Sequence, residues 1–120
     1  IVMSYLGATG NLITAAHQSG AKGLIIAAAG AGATTPGQSD ALQKVIDAGL
    51  TVVITTRTGS GRIPTRRSLN VSNGDRPSWR YAINRVSGND LSPIKARVLL
   101  MLALSQTSDS TEIQRMFRVY

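Results

Sequence analysis

The sequence predicts an α/β domain of three layers, with a small parallel sheet of three to four strands that is closed by two C-terminal helices. Apolar runs without polar alternation are typical of strands covered on both faces. Segments with helical spacing separate these runs, and the strand–helix–strand order favours parallel pairing through right-handed crossovers. A chain of 120 residues corresponds to one domain, residues 1–120, that can bury a core.

Four segments are candidates for strands. Residues 1–5 (IVMSY), 24–29 (LIIAAA) and 50–56 (LTVVITT) are the apolar runs. We expect the first two to be buried strands, and the third, which does not alternate between apolar and polar side chains, to belong to a sheet covered on both faces. Residues 81–86 predict a short additional strand at the edge of the sheet.

Two helices are predicted between these strands. Asn11 is suited to cap the first helix, which is stopped by Gly20. Thr35 and Pro36 are expected to begin the second helix. A threonine side chain can accept a hydrogen bond from a free amide of the first turn, and proline fits that turn. Gly49 follows its end.

Two further helices are predicted at the C-terminal end. Ser92 and Pro93 form a helix start, and Asp109 with Glu112 has the spacing of a capping box at a second start. Apolar residues recur at helical spacing in both helices: Ile94, Val98, Leu99, Leu102 and Ala103 in the first, and Ile113, Met116 and Phe117 in the second. The pattern predicts a helical hairpin that docks on a larger body.

The net charge of +7 is concentrated in residues 57–85. Seven arginines there accompany one acid, whereas the rest of the chain carries six basic and five acidic residues. Glycines and prolines interrupt this segment, so we expect a loop. The loop is interpreted either as a solvated surface, as a surface for an acidic partner domain, or as a polyanion site. The arginines that would form the polyanion site are Arg57, Arg62, Arg66 and Arg67.

Two aromatic residues accompany the arginines. Trp79 and Tyr81 are available to stack on single-stranded bases, but no known nucleic-acid-binding motif surrounds them, which disfavours nucleic acid as a partner. Trp79 is more typical of a side chain that covers the edge of a core.

Cysteine is absent from the sequence, which excludes disulfides, thiolate metal sites and a cysteine nucleophile. The longest apolar run, residues 23–33, has about half of the ~20 residues that span a bilayer, so we expect no membrane segment. The chain opens on Ile1 without a signal pattern, so we expect a fragment or a processed product, and the compartment stays open between periplasm, exterior and cytoplasm. His17 is expected in the last turn of the first helix, where the helix dipole favours it.

A glycine-rich turn, GAGATTPG at residues 30–37, lies between the second strand and the second helix. Open α/β sheets bind ligands at such turns. The dinucleotide fingerprint fails, because Thr35 stands in place of its third glycine, and no Gly-Lys-Ser/Thr follows to complete a P-loop. We therefore interpret the glycines as a requirement of the turn, and we expect no cofactor or metal.

Three segments along the chain carry one further signal. Residues 20–37 read GAKGLIIAAAGAGATTPG, residues 55–64 read TTRTGSGRIP, and residues 91–117 contain the pattern L-x-P-x-x-A-R-x-L-L followed by I-Q-x-x-F. In this order they resemble the C-terminal part of bacterial-type L-asparaginases: a strand with its glycine-rich turn, the next strand end with its loop, and the terminal helices. The resemblance extends over nearly the whole chain, with residues 66–86 least alike. It implies the smaller domain of an enzyme that hydrolyses asparagine, or glutamine, to the acid and ammonia.

The resemblance also implies a division of labour between two domains. The family's threonine nucleophile lies in T-G-G-T and H-G-T-D-T motifs of a larger N-terminal domain, and neither motif occurs here. The C-terminal domain of a neighbouring subunit completes the pocket with a serine or asparagine after the glycine turn and a glutamate after the third strand. These positions correspond to Ala33, which has no polar side chain, and to Ser68, which has no carboxylate, so the expected pocket rim lacks both of the family's groups. Its residues are Gly30, Gly32, Ala33 and Ser68.

The sequence thus predicts the C-terminal domain of an L-asparaginase-type amidohydrolase that contributes subunit contacts and the pocket rim and is inactive alone. The expected partners are an asparaginase N-terminal domain or a neighbouring subunit in a homo-oligomer, with L-asparagine bound only by a complete enzyme. A second interpretation is a non-catalytic binding module whose arginine loop, residues 57–85, binds nucleic acid or another polyanion. A self-sufficient hydrolase is disfavoured, because each serine or threonine needs a base within hydrogen-bond reach.

Overall fold

The computed structural model describes residues 1–65, 79 and 82–120. The strands are β1 (Val2–Met3), β2 (Gly23–Ala28), β3 (Thr51–Thr56) and β4 (Arg85–Ser87). The helices are α1 (Asn11–Gln18), α2 (Pro36–Asp47), α3 (Pro93–Leu104) and α4 (Ser110–Val119).

The four strands form one sheet in the order β1-β2-β3-β4, and every pair is parallel. Ile26 is in register with Val2 on one side and with Ile54 on the other. Helices α1 and α2 pack on one face of the sheet, and α3 and α4 pack on the other. The predicted α/β class, the parallel sheet and the closure by two C-terminal helices are confirmed.

The larger core lies between the sheet and the α1–α2 layer. Ile13 of α1 and Leu42 of α2 are fully buried there against Ile26 and Ile54 of the sheet. The two helices approach closely at Gly10, where a Cβ atom would lie 2.5 Å from the Gly37 carbonyl oxygen. Only glycine fits this contact.

The smaller core lies between the sheet and the α3–α4 layer. Ile25, Val53 and Val86 project from the strands towards Ala96, Leu100 and Ala103 of α3 and Ile113 and Phe117 of α4. Burying a side chain of the size of Ile113 or Phe117 contributes about 1.5–3 kcal/mol. This layer holds the C-terminal hairpin on the sheet.

Gln114 completes the free edge of β4. Its Oε1 accepts a hydrogen bond from the Ser87 amide at 2.7 Å, and its Nε2 donates to the Ser87 carbonyl at 3.2 Å. The side-chain amide therefore satisfies the two backbone groups that a further strand would pair. The I-Q-x-x-F pattern is thus structural: Ile113 and Phe117 fill the core and Gln114 closes the sheet.

The predicted exposure of α3 is wrong in part. Of the five apolar residues expected on one face, Ala103 is buried, whereas Ile94, Val98 and Leu102 are 72%, 51% and 59% exposed. The buried face carries Ala96, Leu100 and Ala103 instead. The helix is apolar on nearly every side, so the spacing of apolar residues does not select the buried face.

Two predicted helix caps differ in detail. Gly10 occupies the N-cap of α1 without a side-chain hydrogen bond, and Asn11 is the first helical residue. Asp109 caps α4 by accepting from the Thr111 amide at 2.9 Å, but Glu112 hydrogen-bonds Arg115 and does not complete the capping box. Ser92 caps α3 as predicted, through the Lys95 amide.

Only part of the segment expected to be a solvated arginine loop is exposed in the described structure: residues 57–62 are exposed, whereas Ile63, Trp79 and Arg85 are buried. Trp79 is fully buried in the larger core, which confirms its predicted structural role. The predicted strand at residues 81–86 is β4, which begins later, at Arg85; Tyr81 lies outside the described residues. Arg85 is 2% exposed, and its Nη1 donates to the Pro64 carbonyl at 2.9 Å. It is therefore a buried structural cation.

No helix among the described residues is long and apolar enough to span a bilayer.

Candidate functional site

The glycine-rich turn after β2 lies at the carboxyl edge of the sheet. The Ala29 amide donates to the Ala33 carbonyl at 3.0 Å, and the Ala33 amide donates to the Ala29 carbonyl at 2.8 Å, which closes the turn on itself. Gly30 and Gly32 have φ angles of 49° and 106°, in the region that favours glycine. The glycines are therefore required by the turn, as the sequence indicated.

The start of α2 ties this turn to the end of β1. The Thr35 hydroxyl accepts from the Gln38 amide at 3.2 Å and donates to the Ala8 carbonyl at 2.6 Å. The Gln38 side chain, 1% exposed, donates to the Met3 carbonyl at 3.1 Å and completes a capping box with Thr35. These bonds hold the loops after β1 and β2 in a fixed relation.

The expected rim residues lie on this turn as far as the structure describes them. Gly30 and Ala33 are exposed to solvent, and Gly32 is buried beneath them. Ser68 lies outside the described residues. Ala33 presents a methyl group, so the described part of the rim offers a ligand backbone groups and no polar side chain at that position.

The loop after β3 reaches the same edge, because carboxyl ends of parallel strands lie together. The Arg57 amide donates to the Ala28 carbonyl at 2.9 Å, which fixes the start of this loop against β2. The hydroxyls of Thr56 and Thr58 are 2.8 Å apart, and the Thr58 hydroxyl donates to the Ser60 carbonyl at 3.0 Å. These hydroxyls bond one another and the backbone, and no base in the described chain is bonded to them.

The four arginines considered for a polyanion site are not brought together by the described structure. Arg57 is exposed, and Arg62 is exposed with its Nη2 3.9 Å from the Asp90 carboxylate. Arg66 and Arg67 lie outside the described residues. The described part of the segment therefore gives the polyanion interpretation no support.

A depression of about 330 Å³ lies between β1, the β3 loop and the start of α3. Ile1 and Met3 at β1 and Leu91 and Ile94 near the start of α3 supply apolar side chains to its lining. Arg57 and Asp90 also line it. The depression is mostly apolar, which suits contact with another protein surface better than recognition of a small charged molecule.

The histidine and the acidic residue with a shifted pKa both lie on helices, away from the glycine turn. His17 lies in the last turn of α1, and because α1 runs back from the carboxyl edge, it lies at the opposite edge of the sheet from the glycine turn. The hydrogen bond from Arg115 lowers the pKa of Glu112 below its ordinary value, and the positive charge of Arg115 adds to the effect. No group of three or more histidine or acidic side chains in the described chain is arranged to hold a metal.

Sequence reasoning missed two buried polar residues, Gln38 at this edge and Arg85 at the start of β4. The T-x-x-Q spacing of Thr35 and Gln38 is a capping-box signal that identifies Gln38. No comparable sequence pattern indicates that Arg85 is buried, because an arginine within an arginine-rich segment is expected to be exposed to solvent.

The family described as the glutaminase/asparaginase C-terminal domain matches residues 1–117. The chain is 35% identical over 121 residues to "L-asparaginase 2" of Bacillus subtilis, covering all of this chain and 29% of that protein. It is 33% identical to a "Glutaminase-asparaginase" of Pseudomonas fluorescens, covering all of this chain and 31% of that protein. The chain thus spans about a third of the length of the curated relatives it matches.

A solved structure, described as a probable cytoplasmic L-asparaginase from Campylobacter jejuni, has the same fold. It superposes with a TM-score of 0.80 at 37% identity, covering 99% of this chain and 36% of that one.

Proposed function

This chain belongs to the glutaminase/asparaginase C-terminal domain family, and from that premise we propose that it is the non-nucleophilic domain of an L-asparaginase-type amidohydrolase. In the complete enzyme it contributes the pocket rim and subunit contacts, and asparagine or glutamine is converted to the acid and ammonia. The partner that carries the nucleophile is the larger domain of an asparaginase-type polypeptide. The chain alone does not turn over substrate.

The extent of the similarity carries this proposal. Residues 1–117 fall within the family as one continuous match, and the relatives have about two thirds of their length outside the matched part. The ordered turn at the carboxyl edge of the sheet adds a physical reason, because ligands of open α/β folds lie at that edge. The hydroxyls of Thr35, Thr56 and Thr58 at this edge are bonded to one another or to backbone carbonyls, as expected of a scaffold.

Ala33 is where this chain departs from the family's rim. The turn holds the Ala33 Cα by two backbone hydrogen bonds, so a polar side chain there is held in a defined position. A single hydrogen bond to a charged substrate group contributes about 1.5–3 kcal/mol, or roughly 10- to 150-fold in kcat/KM. We expect the Ala33 rim to support correspondingly slower hydrolysis.

A chimera tests the proposal. This chain replaces the matched 121 residues of the Bacillus subtilis relative, and the assembled mass and ammonia release from L-asparagine are measured. We expect the chimera to assemble with the mass of the parent enzyme and to hydrolyse asparagine at least ~10-fold more slowly. Ala33→Asn together with Ser68→Glu is expected to restore part of kcat/KM.

The matched control is Ala31→Asn, which places the same amide on an exposed residue of the same turn. It is expected to leave the rate of the chimera unchanged. The proposal is wrong if the chimera fails to assemble while the parent assembles, or if the isolated chain releases ammonia by itself.

A further inference from the structure

A basic cavity of about 230 Å³ lies between the start of β4 and helix α4. Arg85 of β4 lines it from one side, and Arg115 and Arg118 of α4 line it from the other, together with Glu112. Three arginines against one glutamate give the charged residues of this lining a net charge of +2. A lining of this charge attracts an anion.

Arg85 supplies a positive charge that is held in place. Its side chain is 2% exposed, and its Nη1 donates to the Pro64 carbonyl at 2.9 Å. Because this charge is buried, solvent and salt screen its field less than they screen the field of a surface arginine. The cavity therefore has a fixed source of positive potential on its β4 side.

The two arginines of α4 differ in their engagement. Arg115 donates to the Glu112 carboxylate through Nε and Nη2, with the shortest contact at 2.6 Å. Arg118 follows three residues later, so it lies on the same side of the helix. Arg118 is exposed and forms no ion pair within the described chain. It is therefore the guanidinium group that is available to a ligand.

Ser110, the first residue of α4, provides an independent indication of a ligand. It lines the cavity and is only 7% exposed, yet its hydroxyl makes no hydrogen bond within the described chain. Most buried hydroxyls have a hydrogen-bond partner, so a ligand in the cavity would supply the one that Ser110 lacks. The first turn of a helix also favours a negatively charged group. Asp109, which caps this helix through the Thr111 amide, does not line the cavity.

We propose that this cavity binds a small tetrahedral oxyanion, which is the phosphoryl group of inorganic phosphate or of a small phosphomonoester. Arg118 and Ser110 donate hydrogen bonds to it from α4, and Arg85 stabilises its charge from β4. A tetrahedral anion carries oxygen atoms on all sides, which suits a lining that surrounds the ligand. A carboxylate presents its two oxygen atoms in one direction and satisfies only one side of this cavity.

The proposed site is separate from the glycine turn. Arg85 begins β4, so the cavity lies at the amino edge of the parallel sheet, whereas the glycine turn follows β2 at the carboxyl edge. Arg57 and Arg62 of the loop after β3 do not line it. Oxyanion binding is therefore independent of the proposed function, and it is measured without any turnover of substrate.

Isothermal titration of the 120-residue chain with inorganic phosphate, at constant ionic strength set with chloride, tests the proposal. We expect saturable binding at one site. Phosphate at ten times its Kd is expected to raise Tm by about 5–6 °C over chloride of the same ionic strength. Glycerol 3-phosphate is the second probe. Binding of glycerol 3-phosphate as tight as that of phosphate would assign the site to phosphomonoesters, and binding of phosphate alone would assign it to the free ion.

Substitutions in the lining are expected to change the affinity in opposite directions. Arg118→Gln is expected to weaken phosphate binding at least ~10-fold, and Ser110→Ala about 3-fold or more. Glu112→Gln is expected to strengthen binding, because it removes the carboxylate from the lining. Arg97→Gln is the matched control: Arg97 is exposed on α3 and does not line the cavity, so the same loss of charge is expected to leave Kd within about twofold. Far-UV circular dichroism establishes that each variant is folded.

Three results would overturn the oxyanion site. The first is the absence of saturable binding for both phosphate and glycerol 3-phosphate. The second is equal weakening by Arg118→Gln and Arg97→Gln, which would reduce the effect to the net charge of the chain. The third is tighter binding of the dicarboxylate succinate than of phosphate, which would show that the lining does not select a tetrahedral anion.

Discussion

Gln114→Met is the substitution that best separates hydrogen bonding from packing at the edge of the sheet. Methionine keeps the volume and helix propensity of glutamine but removes both hydrogen bonds to Ser87. Ser87 is fully buried, so its amide and carbonyl lose their partners where water does not replace them. An unsatisfied buried group costs about 1–3 kcal/mol, and we take about 2–4 kcal/mol for the two groups together.

Thermal and urea unfolding measure this loss. For 120 residues the entropy of unfolding is about 0.25 kcal/mol/K, so a loss of 2–4 kcal/mol lowers Tm by about 8–16 °C. Gln43→Met is the matched control, because Gln43 donates to Asp47 at 2.7 Å on an exposed helix surface. Its expected cost is below about 0.5 kcal/mol. Equal losses for the two variants would refute the account of Gln114 as the group that completes β4.

The remaining predictions concern packing and charge. Gly10→Ala is expected to lower the free energy of unfolding by about 1–3 kcal/mol, because the new Cβ atom would lie 2.5 Å from a backbone oxygen. Gly37→Ala is the control: its Cβ atom would have no neighbour closer than 3.6 Å, so we expect it to leave the free energy of unfolding unchanged or to raise it. The reverse order of stability in urea unfolding would contradict this account of Gly10. Trp79→Ala is expected to lower the free energy of unfolding by about 3–5 kcal/mol, because Trp79 is fully buried. A loss below about 1 kcal/mol would contradict the placement of Trp79 in the core. Arg115 lowers the pKa of Glu112, so the stabilisation from this pair is present above the unfolded-state pKa of the carboxyl group and is lost as the pH falls through its lower folded-state pKa. Glu112→Gln is expected to remove this small dependence of the free energy of unfolding on acid pH. The same dependence in the variant and the natural chain would contradict the pairing.

The order of elements was predictable because each depends on local signals. The three apolar runs, Thr35 with Pro36, and Ser92 with Pro93 mark strands and helix starts at the positions where the structure has them. These signals depend on the preferences of neighbouring residues and require no knowledge of distant contacts. The parallel topology then follows from the alternation of strands and helices.

The exposure of α3 was not predictable in the same way. Apolar side chains occur all around this helix, and the choice of the buried face is made by the small residues Ala96 and Ala103, which allow close approach to the sheet. Leu100 also packs here: a Cβ atom on Gly23 would lie 2.9 Å from it. The sequence shows which residues of the helix are apolar, but tertiary packing decides which of them are buried against the sheet.

In the candidate site and in β4, too, local features were predictable from the sequence, whereas features that depend on distant contacts were not. The turn at Gly30 and Gly32 follows from glycine's access to positive φ, which is a local property. The burial of Arg85 depends on the Pro64 carbonyl, 21 residues earlier in the chain, and composition gives no indication of that contact. The roles of Ala33 and Ser68 depend on family resemblance, so they stay predictions until the chimera is measured.

The most direct measurement of the central claim is ammonia release from L-asparagine by the purified 120-residue chain, with its mass in solution determined on the same sample. The account predicts no turnover, because the chain lacks the threonine motifs of the family, and because the hydroxyls of Thr35, Thr56 and Thr58 are bonded to other hydroxyls or to backbone groups. Turnover that follows the 12.6 kDa chain through successive purification steps would contradict the account, since it would require a nucleophile and a base within this domain.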